Sequence, residues 1–145
     1  MKKALFISLG IALCAGVASA TDFGAHAGYY GGDLKQAFLG FDAMMPIGPA
    51  ALMPNIDYSK KNGIGYWFAS VDLNLKNPGG GPAWWFGAGP TYGYFTGYGS
   101  SAHQWGWDVN GGFGWARGEA KPYVTLRYIK IKDFKTTGAA IGIRF

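Results

Sequence analysis

The sequence predicts an all-β chain: eight antiparallel strands closed into an up-and-down transmembrane β-barrel. Three observations carry this reading. Two-residue alternation of apolar and polar positions recurs along residues 21–145, and no stretch sustains a helical repeat. Clusters of Gly, Pro, Asn and Asp interrupt the alternation often enough to leave segments of about ten residues, the length of a membrane-crossing strand. The composition sets 25 glycines and 17% aromatic residues against 14% charged ones, the balance of a chain with many strands and turns.

Residues 1–20, MKKALFISLGIALCAGVASA, stand apart. Lys2 and Lys3 precede an apolar run from Ala4 to Val17, and the small residues Ala18, Ser19 and Ala20 close it. This is the pattern of a secretory signal peptide cleaved before Thr21, and the run is too short for a good spanning helix. Cys14 follows Leu13, where a lipid-attachment signal requires a small residue, so it belongs to the discarded segment. It is the one cysteine of the chain. The barrel of residues 21–145 therefore has neither disulfide nor thiol nucleophile, and packing or a membrane must stabilise it. Losing Lys2 and Lys3 lowers the net charge of +5 by two, too small an excess to indicate nucleic acid.

The strands are expected at 23–30, 36–46, 51–59, 64–75, 83–95, 103–116, 121–131 and 136–145. The first carries His26 inward and ends at the turn GGD. The second places Phe38 and Asp42 inward and ends at PIGP. In the third, Leu52, Pro54, Ile56 and Tyr58 oppose Met53, Asn55, Asp57 and Ser59, before SKKNG. In the fourth, Trp67, Ala69, Val71, Leu73 and Leu75 oppose Ser70, Asp72 and Asn74, before NPGGGP. The fifth turns Trp85, Gly87, Gly89 and Gly93 inward and ends at TGYGSS. The sixth is the clearest: Trp105, Trp107, Val109, Phe113 and Trp115 share one face, and Gln104, Asp108, Asn110 and Gly112 share the other. The seventh, after ARGEA, points Tyr123 and Arg127 inward. The eighth, after KDFK, alternates Ile141, Ile143 and Phe145 with Gly142 and Arg144.

The same alternation suits a soluble barrel with an apolar lumen or a membrane barrel with the faces exchanged. Bulk favours the second, because eight strands enclose only enough room for side chains to fill. Trp and Phe then face lipid, and glycines with short polar groups face the lumen. Trp67, Trp84, Trp105, Trp115 and Tyr58 form interfacial girdles. Pro54, Pro90 and Pro122 fit a closed barrel badly, since each lacks an N–H, and a bulge is expected at Pro90. A soluble periplasmic barrel stays open as an alternative.

The chain closes on GAAIGIRF. If the last strand pairs with the first, the backbone of Phe145 is satisfied and its ring packs at the inner membrane interface. With signal peptide, alternating strands and terminal aromatic residue in place, residues 21–145 resemble the small outer-membrane β-barrels of the OmpA or OmpX type. The resemblance implies an outer-membrane location in a Gram-negative-type bacterium. It also implies lipid and lipopolysaccharide as surroundings, and recognition of the C-terminal strand by the barrel-assembly machinery.

Parity turns Asp42, Asp57, Asp72 and Asp108 inward on one wall and His26, Arg127 and Arg144 inward on the other. Unpaired charges there are costly, so a salt-bridge plug is expected, with a narrow charge-lined path for small solutes as the alternative. The inward glycines leave room for that path unless inward Phe38, Tyr66, Phe68, Trp85 or Tyr123 fill it. Lys60, Lys61, Lys130, Lys132 and Lys135 gather at the outer rim with Asp133, either as a solvated edge or in contact with lipopolysaccharide phosphates. Some barrels of this size modify lipid A, and Ser101 and His103 share an outward face near Asp133. Their Ser-x-His order differs from the His-x-Ser of the barrel deacylases. With only His26 and His103, no metal-ligand spacing exists, and GGG at 79–81 has no following helix to hold phosphate. The reading is a structural or envelope-associated barrel without cofactor or catalysis, ahead of a channel and then of a lipid-modifying enzyme.

Overall fold

The computed structural model describes residues 21–77 and 82–145. Residues 1–20, where a signal peptide is expected, and residues 78–81 of the expected turn NPGGGP lie outside the described residues. Among the described residues are β1 (Asp22–Tyr30), β2 (Gln36–Ile47), β3 (Ala50–Lys61), β4 (Ile64–Lys76), β5 (Pro82–Gly97), β6 (Ser100–Trp115), β7 (Lys121–Ile131) and β8 (Phe134–Arg144). Each pairs antiparallel with the next, and β8 returns to β1, closing the barrel. The closure continues past the β8 ladder: Phe23 and Phe145 exchange backbone hydrogen bonds of 3.1 and 2.8 Å. We call the end that carries Asp22 and Arg144 the lower mouth and the opposite end the upper mouth.

The largest differences from the expected boundaries lie in the β5–β6 hairpin. Thr96, Gly97, Ser100 and Ser101 look like loop residues but pair as strand, because a ladder needs only backbone groups. The turn shrinks to Tyr98-Gly99, both at positive φ (52° and 77°), and Asn62-Gly63 (52° and 80°) turns β3 into β4 in the same way. Two successive left-handed residues give the tight turn whose twist matches that of the strands. The Tyr98 hydroxyl reaches across and donates to the Asn62 carbonyl at 2.7 Å, tying the two turns together.

No bulge forms at Pro90. The β4–β5 ladder pairs Ser70 with Thr91 and Leu73 with Ala88 in one unbroken register, and only the pairs between them are missing. An unmade N–H needs a gap in the ladder, not an extra residue. Pro54 sits in a similar gap between Asp42↔Asn55 and Met45↔Leu52. Pro122 lies just past the last β6–β7 pair, Gly114↔Tyr123, so it interrupts no ladder there.

The apolar wall faces outward. Phe23, Leu39, Phe41, Trp105, Leu126, Ile141 and Phe145 are each about two-thirds exposed, whereas Asp57, Asp72, Asp108, Arg127 and Arg144 are buried. This is the reverse of a soluble barrel, whose Trp105, Trp107 and Trp115 would fill the lumen. The core is the lumen itself, where glycines receive bulky neighbours. Gly112 lies under the Trp85 ring, Gly142 under Tyr123, and Gly138 under Tyr30 and Phe38.

Candidate functional site: the lumen and its two mouths

The lumen is built in three layers. The upper layer is apolar. Tyr30, Leu34, Phe38, Phe68, Ile129 and Ile131 form a buried cluster, with Tyr66, Phe95 and Phe134 packed against it. Leu34 comes from the β1–β2 loop and is 1% exposed. The loop lies across the upper mouth because β8 holds it there: Gly31 N–H donates to the Thr137 carbonyl (2.7 Å) and Asp33 N–H to that of Lys135 (3.1 Å). Asp33 also accepts from the Lys135 N–H (2.9 Å), and Thr136 Oγ1 donates to the Gly31 carbonyl (2.6 Å). The Lys61 ammonium donates to the Leu34 carbonyl at 2.5 Å, so this lysine points over the mouth and not outward with its rim neighbours.

The middle layer is ionic. Arg127 donates from Nη1 to Asp57 (2.9 Å), from Nε to Asp108 and from Nη2 to Ser70. Asp57 also accepts from the Tyr30 hydroxyl and faces His26 Nε2 at 2.8 Å. His26 Nδ1 lies 3.2 Å from Asp42 and 3.0 Å from the Tyr123 hydroxyl. Both ring nitrogens thus face carboxylates, an arrangement in which both donate only when the ring carries two protons. Asp42 accepts from Arg144 Nε (2.8 Å) and from Tyr123. Thr91 completes Asp108 at 2.8 Å. The two walls expected from parity are joined as three linked pairs, Asp57 and Asp108 with Arg127 and Asp42 with Arg144. Asp72 differs: it accepts from Asn110 (2.9 Å) and Ser70 (3.3 Å), and among the described residues no cation lies within bridging distance of it.

The lower layer is aromatic and cationic. The Arg144 guanidinium lies against both the Trp85 and Tyr123 rings, 4.4 and 4.2 Å from their centroids. Met44 and Met53 pack beside Trp85 and Tyr123. Below them the lower mouth opens, and Lys121 bridges Asp22 at its rim (2.5 Å).

The remaining sequence candidates are placed as follows. Lys60, Lys130, Lys132 and Lys135 are exposed at the upper end, and Lys130 and Lys135 stand directly opposite each other on β7 and β8. Trp67, Trp84, Trp105, Trp115 and Phe145 are all exposed on the outer wall. Ser101 and His103 are exposed on the upper part of β6, which reaches beyond the β6–β7 ladder. The His103 ring stacks on Tyr92 at 5.9 Å, and among the described residues no hydrogen bond joins it to Ser101 or Asp133. Sequence reasoning missed Leu34 and the lumen roles of Tyr30, Ser70, Thr91, Ile129 and Ile131. Ile129 and Ile131 share the parity of Arg127, a signal that could have found them, whereas Leu34 lies in a loop and has no parity to read.

A closed eight-stranded barrel with an apolar outer wall and an ionic lumen defines the class: a small transmembrane β-barrel. No known family profile matches the chain, and no curated protein does. Solved structures do share the fold. Neisserial surface protein A is similar at a TM-score of 0.66 and 14% identity, over 86% of this chain and 93% of that one. The N-terminal β-barrel domain of Pseudomonas aeruginosa OprF gives 0.65 and 14%, over 86% and 96%. Ail, the attachment invasion locus protein of Yersinia pestis, gives 0.56 and 13%, over 86% and 97%.

Proposed function

We propose that this protein is an integral, non-catalytic outer-membrane barrel of the cell envelope whose lumen is sealed and whose upper rim meets phosphate headgroups. In this reading residues 1–20 direct export, the lower mouth faces the periplasm, and β8 with Phe145 is the strand the barrel-assembly machinery recognises. One observation carries the sealed lumen: the apolar layer around Leu34 lies directly on the Arg127 network. A cavity among His26, Asp57, Arg127 and Arg144 measures only about 10 Å³, room for roughly one water. A conducting path would need both layers to part.

The rim reading rests on Lys130, Lys132 and Lys135, and on the outer-wall groove of about 730 Å³ lined by Ala27, Tyr29, Val124, Leu126 and Ile141. Such a surface pairs a cationic edge with a seat for acyl chains. Ail, a neighbour in fold, has been solved with the polyanion sucrose octasulfate, which supports the same reading.

The test is conductance of the refolded barrel in a planar bilayer, using material whose gel mobility shifts on heating. Silence is the expected result. Discrete, reproducible steps would overturn the sealed lumen in favour of a narrow pore, and altered ion selectivity in Arg127→Gln would then place Arg127 on its path. The absence of catalysis is checked by lipid A mass spectra with and without the protein, where identical profiles are expected.

A further inference from the structure

The lower mouth opens into a basin of about 720 Å³, within the size range of small-molecule sites. Its inner lining includes Trp85 and Tyr123, with the outward-projecting Trp84 and Trp115 only at the rim, and the charged side chains of the described lining are Lys76, Lys121 and Arg144 against Asp22. Lys121 is held by Asp22 and Arg144 by Asp42, so Lys76 is the cation left to set the potential of the mouth.

Arg144 is unusual among the lumen cations. Its Nε is engaged by Asp42, but among the described residues its terminal amino groups face only thioethers, Met44 Sδ at 4.0 Å and Met53 Sδ at 3.4 Å. Thioether sulfur is a weak acceptor, so a buried guanidinium keeps two strong donor groups without an oxygen. The Trp85 and Tyr123 rings, set edge-on to each other 5.8 Å apart, both lean on the guanidinium from neighbouring directions, so part of its plane and its outer edge stay free of them. That edge is the one that makes paired bonds to a carboxylate. Trp85 adds a second observation: it is 3% exposed, and its indole N–H has no partner among the described residues.

We propose that the lower basin is a binding site for a small carboxylate with a flat apolar body. The carboxylate meets the terminal amino groups of Arg144 as Met44 swings aside, the indole N–H of Trp85 supplies a further donor, and the body lies in the mouth against Met44, Pro46 and the edge of Trp85. Lys76 attracts the anion to the mouth. The ligand enters and leaves by the lower mouth alone, so this site stands or falls independently of the sealed lumen.

The test uses the refolded chain with 13C-labelled methionine methyl groups, titrated with benzoate and separately with benzyl alcohol, which keeps the ring and lacks the charge. Met44 and Met53 line the Arg144 edge, and Met45, on the outer face of β2, is the control for partition into detergent. Benzoate is expected to shift Met44 and Met53 saturably in the millimolar range while Met45 stays still, and benzyl alcohol to shift neither comparably. Arg144→Gln is expected to weaken benzoate about tenfold or more, the loss of a charge-assisted pair. Trp85→Phe keeps the ring and removes the N–H, and Lys76→Gln changes only the mouth; both are expected to bind more weakly. Unmoved methyl signals, equal responses to the two probes, or unchanged affinity in the variants that fold would each overturn the proposal.

Discussion

Replacing Arg127 by Met tests whether the ionic layer holds the barrel together. The Arg127 side chain is 6% exposed and bridges Asp57 and Asp108, which are 1% and 0% exposed. Met keeps most of the volume and removes the cation. Asp108 is then left with the Thr91 hydroxyl and, among the described residues, no cation, while Asp57 keeps His26 and Tyr30. Removing one partner of a buried ion pair typically costs about 3–5 kcal/mol, because the remaining charge is stranded. The upper part of that range applies, since Asp108 loses its only cation. The assay is urea unfolding of the barrel in lipid vesicles, followed in both directions by gel mobility and tryptophan emission. Adding Asp57→Asn and Asp108→Asn to Arg127→Met removes the stranded charges and is expected to recover at least half of the loss. A single variant within about 1 kcal/mol of the parent, well short of a broken buried pair, would refute the reasoning. So would a triple variant no better than the single.

Gly112→Ala would drive a methyl group into the Trp85 ring, an overpacking worth about 1–3 kcal/mol. In a double-mutant cycle with Trp85→Leu the two changes should couple by more than about 0.5 kcal/mol, read from the same urea curves. Leu34→Ala truncates a residue that is 1% exposed and should cost about 2 kcal/mol, the low end for Leu→Ala because the site belongs to a loop. Its bilayer trace should stay silent, because the Arg127 layer lies beneath. The pair Lys130→Gln and Lys135→Gln relieves two like charges that directly face each other. It should leave the urea midpoint in neutral detergent unchanged or slightly raised, and reduce the gain expected of the parent in vesicles containing lipopolysaccharide. Lys61→Gln should instead lower the midpoint in both media, because Lys61 holds the Leu34 carbonyl.

The faces of the strands were legible because parity has only two outcomes and a closed barrel enforces one for each strand. Asp42, Asp57, Asp72, Asp108, His26, Arg127 and Arg144 all point inward as alternation requires. Height along the barrel was not legible. Pairing registers stagger around the wall, so alternation alone does not show that Arg127 meets Asp57 and Asp108 while Asp72 meets amides. The Tyr123 hydroxyl was missed as a carboxylate partner for the same reason, since its ring was readable as filler and its reach across the lumen was not, and Tyr30, at the end of β1, was not read as a lumen residue at all. Loops escape parity altogether, which hid Leu34 and the inward turn of Lys61. At Pro90 a general rule about strand prolines outweighed a cheaper local solution, a gap in the β4–β5 ladder.

The distribution of polarity also sets where stability must come from. In lipid the outer wall of Leu, Ile and Trp gains little from burial, because acyl chains are as apolar as the side chains they touch. What remains to make the folded barrel unique is the closed hydrogen-bonded ladder and the lumen. A lumen of glycines and aliphatic residues alone would tolerate slipped registers, since such side chains repack with little loss. Carboxylates that each need a particular guanidinium or hydroxyl do not: a two-residue slip of β7 would keep every residue on its face yet carry Arg127 away from Asp57 and Asp108. The ionic layer therefore acts as a register lock, and its energetic role is larger in destabilising the wrong barrels than in stabilising the right one. This reading makes the triple variant informative beyond its stability. If it regains stability but folds to several species of different gel mobility, the charges specify register; if it folds to one, the ladder and the turns at Asn62-Gly63 and Tyr98-Gly99 suffice.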